Sequence, residues 1–164
     1  GGVSRYEKFR YYSREFLGRD LDKDEENLLG THFSQLVEDA VVNAPWVPGA
    51  KEFLVQYHQR IDLYVVSGTP YEELRRIVDK RNMQHYFKGL YGSPERKGVL
   101  IKRILQYGNY DQDKVVMVGD AITDYEGAIE AGVRFVGLVR DGNNNPFPET
   151  YTVITDLKGL PDVL

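Results

Sequence analysis

The sequence has 164 residues, 41 % hydrophobic and 12 % aromatic, with 21 Lys plus Arg against 25 Asp plus Glu for a net charge of −4. This composition suits a globular chain of about one domain and argues against disorder, and with no basic stripe there is no electrostatic case for nucleic acid. No apolar run reaches the length of a membrane span and no signal-peptide pattern is present, while the absence of Cys excludes disulfides, thiolate metal sites and Cys nucleophiles, so a cytoplasmic location is the default expectation.

Ser4 to Glu7 fits a capping box, and Phe9, Tyr12, Phe16 and Leu17 then recur at helical spacing until Gly18. Asp22 and Glu25 repeat the capping pattern ahead of Leu28, Leu29, Phe33, Leu36, Val37, Ala40 and Val41. Residues 1–43 are therefore predicted as two helices without a strand. Pro45, Pro48 and Gly49 mark a hinge, dividing a segment 1–44 from a segment 45–164. Pro48 can open a helix that carries Phe53, Leu54 and Tyr57.

After this the period changes. Residues 61–66 read as a strand ending at Ser67-Gly68. Thr69 to Glu72 fits another capping box, with Pro70 at the first helical position, and Leu74, Ile77 and Val78 continue that helix. A short strand at Leu90-Tyr91 precedes a helix from Lys97 to Tyr107, stopped by Gly108. Residues 115–118 form a strand, 124–131 a helix ended by Gly132, 133–139 a strand, and 153–154 a last strand before a helical turn near Leu157 to Leu160. Alternating strands and helices predict an α/β fold, a parallel sheet covered by helices.

In such a sheet, ligands gather at the carboxyl ends of the strands. Three polar features sit at or near those ends: Ser67, Lys97 at a helix start, and Asp120 with Asp124 in Val115-Val-Met-Val-Gly-Asp120 and the turn that follows. A phosphoryl group needs donors on its oxygens and positive charge as it transfers. The Ser67 hydroxyl and the Gly68 and Thr69 amides at a helix N-terminus can donate. Lys97 supplies a mobile point charge, although it opposes the helix dipole there. Asp120, with or without Asp124, suits Mg²⁺. Each residue also has an ordinary role: Ser67 as a turn residue, Lys97 as a solvated cation, Asp124 as a helix-start acid. Arg75-Arg76 and Lys102-Arg103 read as solvated helix faces. His32, His58 and His85 have no ligand spacing.

Taken in order, Ser67 after a strand, Lys97 before a helix, and the stretch from Val115 to Asp124 resemble the haloacid dehalogenase-like hydrolase superfamily. The resemblance is to its phosphoglycolate phosphatase and β-phosphoglucomutase-like members. It implies a Rossmannoid three-layer parallel sheet core over 45–164 and a partial helical cap over 1–44. In the family's terms Ser67 matches the second motif, Lys97 the third, and Asp120 and Asp124 the acidic fourth. "VPGAKEFL" resembles the return from cap to core, and "FVGLVRDGNN" and "VITDLKGL" resemble the closing strands. Gly119-Asp120 favours a Mg²⁺-dependent phosphatase or phosphomutase over the metal-free dehalogenase. The implied substrate is a small phosphorylated metabolite, with Ser67, Gly68, Thr69 and Lys97 on the phosphate, Lys97 and Ser67 in catalysis, and Asp120 and Asp124 on the metal. Arg5 is weighed as a substrate contact and read instead as a solvated helix residue.

The family's first motif, an Asp-x-Asp closing the first strand, has no counterpart. Asp20-Leu21-Asp22 matches the letters but lies between helices, and Asp156 follows a strand without a partner. The chain also opens on Gly1-Gly2-Val3. The expectation is that the nucleophile, the acid/base and the first strand, between those ending at Ser67 and Asp120, lie outside these 164 residues, in a missing N-terminal segment or another chain. The 164 residues alone are then expected to be inactive. Two alternatives stand beside the phosphatase reading: a sugar phosphomutase, and a noncatalytic domain that keeps the fold to bind phosphate or a partner.

Overall fold

The computed structural model describes residues 5–164, with side chains from Phe9 onward. The chain divides into two compact units, Gly1–Ala44 and Pro45–Leu164.

In the first unit, α1 (Arg5–Tyr12) runs into a π-helical turn at Ser13–Leu17, and α2 (Lys23–Asn43) follows. The capping box expected at Ser4 to Glu7 falls outside the described residues, as does the Arg5 side chain. Gly18 ends the first helical run at φ 65°, which suits a residue without a Cβ. The buried Ser13 hydroxyl donates to the Arg19 carbonyl at 2.6 Å and closes that turn. The second capping box forms. Asp22 accepts from the Asp24 and Glu25 amides at 2.9 and 2.8 Å, and Glu25 reaches back to the Asp22 amide at 3.0 Å. The Arg19 guanidinium bonds both Glu25 oxygens and, with that amide, holds the carboxyl down at about 2.

The second unit runs α3 (Ala50–Tyr57), β1 (Tyr64–Pro70), α4 (Tyr71–Lys80), β2 (Gly89–Ser93), α5 (Lys97–Gly108), β3 (Val116–Gly119), α6 (Ile122–Ala131), β4 (Arg134–Leu138) and β5 (Thr152–Ile154). Every strand pairing is parallel, so the fold class is α/β. Neighbouring residues of β4 face opposite layers. Phe135 packs with Ile101 of α5 and Ala128 and Ala131 of α6, whereas Val136 packs with Phe53 of α3 and Leu160. That alternation builds three layers, with the strands between two helical faces.

The strands pair in two separate groups, β1-β2 and β3-β4-β5, and β1 does not pair with β3. Among the described residues each of these two strands therefore keeps one unpaired edge. Both are half-buried along most of their length, whereas β4 is buried at Phe135, Val136 and Gly137.

Three local expectations are corrected. β1 begins at Tyr64 and runs to Pro70, so α4 starts at Tyr71 and no capping box forms at Thr69. The reason is strand pairing: Pro70 is still in register with Ser93 of β2, so the helix begins one residue later than the capping pattern requires. Gly108 stays inside α5, and Asn109 takes the left-handed turn at φ 51°. A Cβ on Gly108 would lie 1.9 Å from the Tyr110 ring, so this glycine makes room for packing and does not stop the helix. The last helical turn falls at Leu160–Asp162, beyond the expected Leu157 start.

Candidate functional site

Asp120 directly follows β3, Lys97 and Asp124 lie in the first turns of α5 and α6, and Ser67 sits three residues before the end of β1. Ser67 lies within β1, half-buried, and its Oγ accepts the Thr69 amide at 3.1 Å. The Thr69 N–H is thus engaged locally, in the manner of a hydroxyl turn. Gly68 is exposed, with open space where its Cβ would be. Since β1 continues to Pro70, the Gly68 and Thr69 amides belong to a strand end and not to a helix N-terminus.

Lys97 is the first residue of α5. Its ammonium donates to Asp124 Oδ1 across the face of α6, and the two side chains are only 15 % and 6 % exposed. The other oxygen, Oδ2, accepts the Ala121 amide at 3.0 Å. Asp124 therefore caps α6 with one oxygen and neutralises Lys97 with the other. This answers the dipole objection to Lys97: the positive end of α5 disfavours the ammonium, and a buried carboxylate against it restores the balance. Asp120 differs. It is exposed, and no hydrogen bond or ion pair to its carboxylate occurs among the described residues.

Three glycines make this geometry possible. A Cβ on Gly119 would lie 2.3 Å from Asp124 Cβ, so the end of β3 must be bare for that side chain to turn inward. A Cβ on Gly127 would lie 2.8 Å from Lys97 Cβ, and one on Gly98 would lie 2.5 Å from Glu130 Oε2. Gly98 and Gly127 belong to no motif of the sequence. Their only signal was placement inside helical runs, where glycine is unfavourable without a packing reason.

The donor set bears on Mg²⁺ directly. This ion is commonly held by one or two carboxylates, with waters and substrate phosphate completing its shell. Asp120 fits that description. Asp124 does not offer a free oxygen, and no group of three His, Asp or Glu side chains converges among the described residues.

The remaining candidates have ordinary partners. Asp20 pairs with Arg14 and Asp22 caps α2, so neither stands at a strand end. Asp156 accepts the Lys158 amide at 2.8 Å in a local turn. Arg75 pairs with Glu72 and Asp79, Lys102 with Glu130, and Arg103 with Glu95. The His58 ring nitrogen Nδ1 lies 2.9 Å from the Leu54 carbonyl, which suits a packed histidine.

Residues 8–138, most of the chain, match the sequence profile of haloacid dehalogenase-like hydrolases. The chain belongs to that family. Solved structures of haloacid dehalogenase-like proteins share the fold. A Haemophilus somnus protein described as a predicted phosphoglycolate phosphatase is 20 % identical, with TM-score 0.80 over 96 % of this chain and 75 % of that one. A Thermotoga maritima protein described as a predicted β-phosphoglucomutase is 20 % identical, with TM-score 0.76 over 99 % and 80 % of the two chains. A Bacillus subtilis hydrolase of the superfamily, solved with magnesium bound, is 20 % identical, with TM-score 0.74 over 100 % and 74 %. No curated relative matches the sequence. Among the described residues no helix is long and apolar enough to cross a membrane.

Proposed function

We propose that this haloacid dehalogenase-like chain belongs to a Mg²⁺-dependent phosphomonoester hydrolase acting on a small phosphorylated metabolite. The observation that carries the reading is the contrast at the end of β3. Asp120 presents an uncommitted carboxylate, while the buried Asp124 holds the Lys97 ammonium beside it.

In this reading Asp120 would hold the metal, which when bound withdraws charge from the phosphoryl oxygens and orients them. Lys97 and the Ser67 hydroxyl bind those oxygens, and the exposed Gly68 amide is a further donor. Asp124 holds Lys97 in place. The chemistry then proceeds in two displacements. A carboxylate attacks phosphorus, the ester P–O bond breaks, and the alcohol leaves with a proton from an acid. Water then attacks the acyl phosphate, releasing inorganic phosphate and restoring the carboxylate.

The attacking carboxylate and the acid are assigned to a segment outside these 164 residues, because Asp20, Asp22 and Asp156 are all committed elsewhere. The unpaired edges of β1 and β3 support a specific form for that segment, a parallel strand lying between them. Its carboxyl end would meet Ser67 and Asp120 at one edge of the sheet.

The test is hydrolysis of an aryl phosphate by protein carrying the complete chain, with and without Mg²⁺. Turnover should require the metal and fall by roughly two orders of magnitude in Asp120→Asn. Unchanged turnover in that variant would sink the assignment. Interconversion of sugar-phosphate isomers in place of hydrolysis would select the phosphomutase reading, and phosphate binding without any turnover the noncatalytic one. Turnover by the 164 residues alone would overturn the external nucleophile.

A further inference from the structure

The face of α6 that meets α5 is laid out at helical spacing as Asp124, Gly127 and Glu130. Asp124 takes the Lys97 ammonium, Gly127 lies under the Lys97 stem, and Glu130 lies against Gly98 while pairing with Lys102 at 3.3 Å and Arg96 at 3.4 Å. The first turn of α5 thus rests on bare backbone at Gly127.

Two close contacts cross this interface. A Cβ on Gly98 would meet Glu130 Oε2 at 2.5 Å and Glu130 Cβ at 2.8 Å, so it presses on the root of a side chain of α6 and not on Lys97. A Cβ on Gly127 would lie 2.8 Å from Lys97 Cβ, 3.1 Å from the Gly98 nitrogen and 3.3 Å from the Lys97 carbonyl carbon. Two of those three atoms are main chain. They cannot rotate away, and ordinary carbon contacts need about 3.5–4.0 Å. Any side chain at 127 must therefore lift the first turn of α5, and with it the root of Lys97.

We propose that Gly127 is a positioning residue whose missing side chain sets Lys97 at the depth where its ammonium meets Asp124. The role rests on the phosphoryl-transfer reading for its functional meaning, but the geometry it asserts is independent of turnover. Gly127 acts through Lys97 and touches no substrate.

The experiment follows the ammonium itself. Lysines of the folded protein are acylated under limiting reagent, and peptide mass spectrometry gives the rate at each site. In the parent protein Lys97 should label slowly, being paired and largely covered. Gly127→Ala should label Lys97 severalfold faster, with Lys51, Lys88 and Lys102 unchanged as internal references. Ile101→Val, which thins the same α5–α6 contact away from residue 97, should leave Lys97 slow. Equal acceleration in both variants would mean general loosening and would overturn the proposal, as would an unchanged Lys97 rate in Gly127→Ala. Should Gly127→Ala not fold in plain buffer, the same labelling in a stabilising osmolyte such as trimethylamine N-oxide decides, with an unchanged Lys97 rate again counting against the proposal. Turnover in the complete chain is measured separately. A phosphatase failure with the labelling pattern intact removes the functional reading and leaves the positioning role standing.

Discussion

Lys97 Nζ and Asp124 Oδ1 form a buried ion pair between the first residue of α5 and the first turn of α6. Asp124 is simultaneously bound to the Ala121 amide. Breaking one side of a buried pair leaves the other charge uncompensated. Asp124→Asn should therefore lower unfolding free energy by about 3 kcal/mol, and Lys97→Met by a similar amount. The double variant should recover most of that loss, since no buried charge remains. Denaturant midpoints of the four proteins measure the coupling, and simple additivity would contradict it.

Asp120 should behave in the opposite way. Its carboxylate is exposed and has no protein partner among the described residues, so Asp120→Asn should change stability by no more than about 0.5 kcal/mol. A large loss of stability in that variant would mean that Asp120 has a structural task. Measured beside turnover, this separates the metal-holding role from the Lys97-holding role of its neighbour four residues on.

Far from this edge, the Tyr110 hydroxyl donates to Asp62 at 2.5 Å and lies 2.8 Å from the Tyr64 hydroxyl, while Lys88 pairs with Asp62 at 2.7 Å. The Lys88 bond first, and the Tyr110 bond second, hold the Asp62 carboxyl below its usual range. A carboxyl depressed in the folded state adds stability above its unfolded value, about 3.9, and loses it as pH falls through the folded value. Acid unfolding below about pH 4 should therefore be less steep in Asp62→Asn. Tyr110→Phe should cost about 1 kcal/mol at neutral pH. Urea titrations across this pH range would show both effects.

Gly49 precedes α3 at φ 81°, and a Cβ there would lie 2.4 Å from the Lys158 nitrogen. Both the backbone conformation and the close approach exclude a side chain. Gly49→Ala should cost roughly 2–4 kcal/mol, a combined strain and packing effect visible as a lower thermal midpoint. A change below about 0.5 kcal/mol would show that the Leu157-Lys158 segment yields easily.

Much of the fold was legible because it rests on local pattern. Apolar periodicity located every strand and helix of the second unit to within a few residues, and Asp22 with Glu25 announced the start of α2. The errors came where local chemistry is ambiguous. Thr69 to Glu72 satisfies a capping pattern by letters, yet β1 stays paired with β2 as far as Pro70 and Ser67 takes the Thr69 amide. Gly108 looks like a helix stop, yet its use is to admit the Tyr110 ring.

By itself the sequence determined the α/β class, the placement of Lys97 at a helix start and of Asp120 after a strand, and the family motif around Gly119-Asp120. These depend on side-chain period and on short spacings, which a linear chain displays directly. Only the tertiary structure decided how the two aspartates divide their work. Asp120 and Asp124 are equivalent as letters, and only the packing of α5 on α6 through Gly127 brings Lys97 to one of them and leaves the other open. Contacts between residues distant in sequence, such as 97 with 124, carry no periodic signal. They follow from where two helices cross.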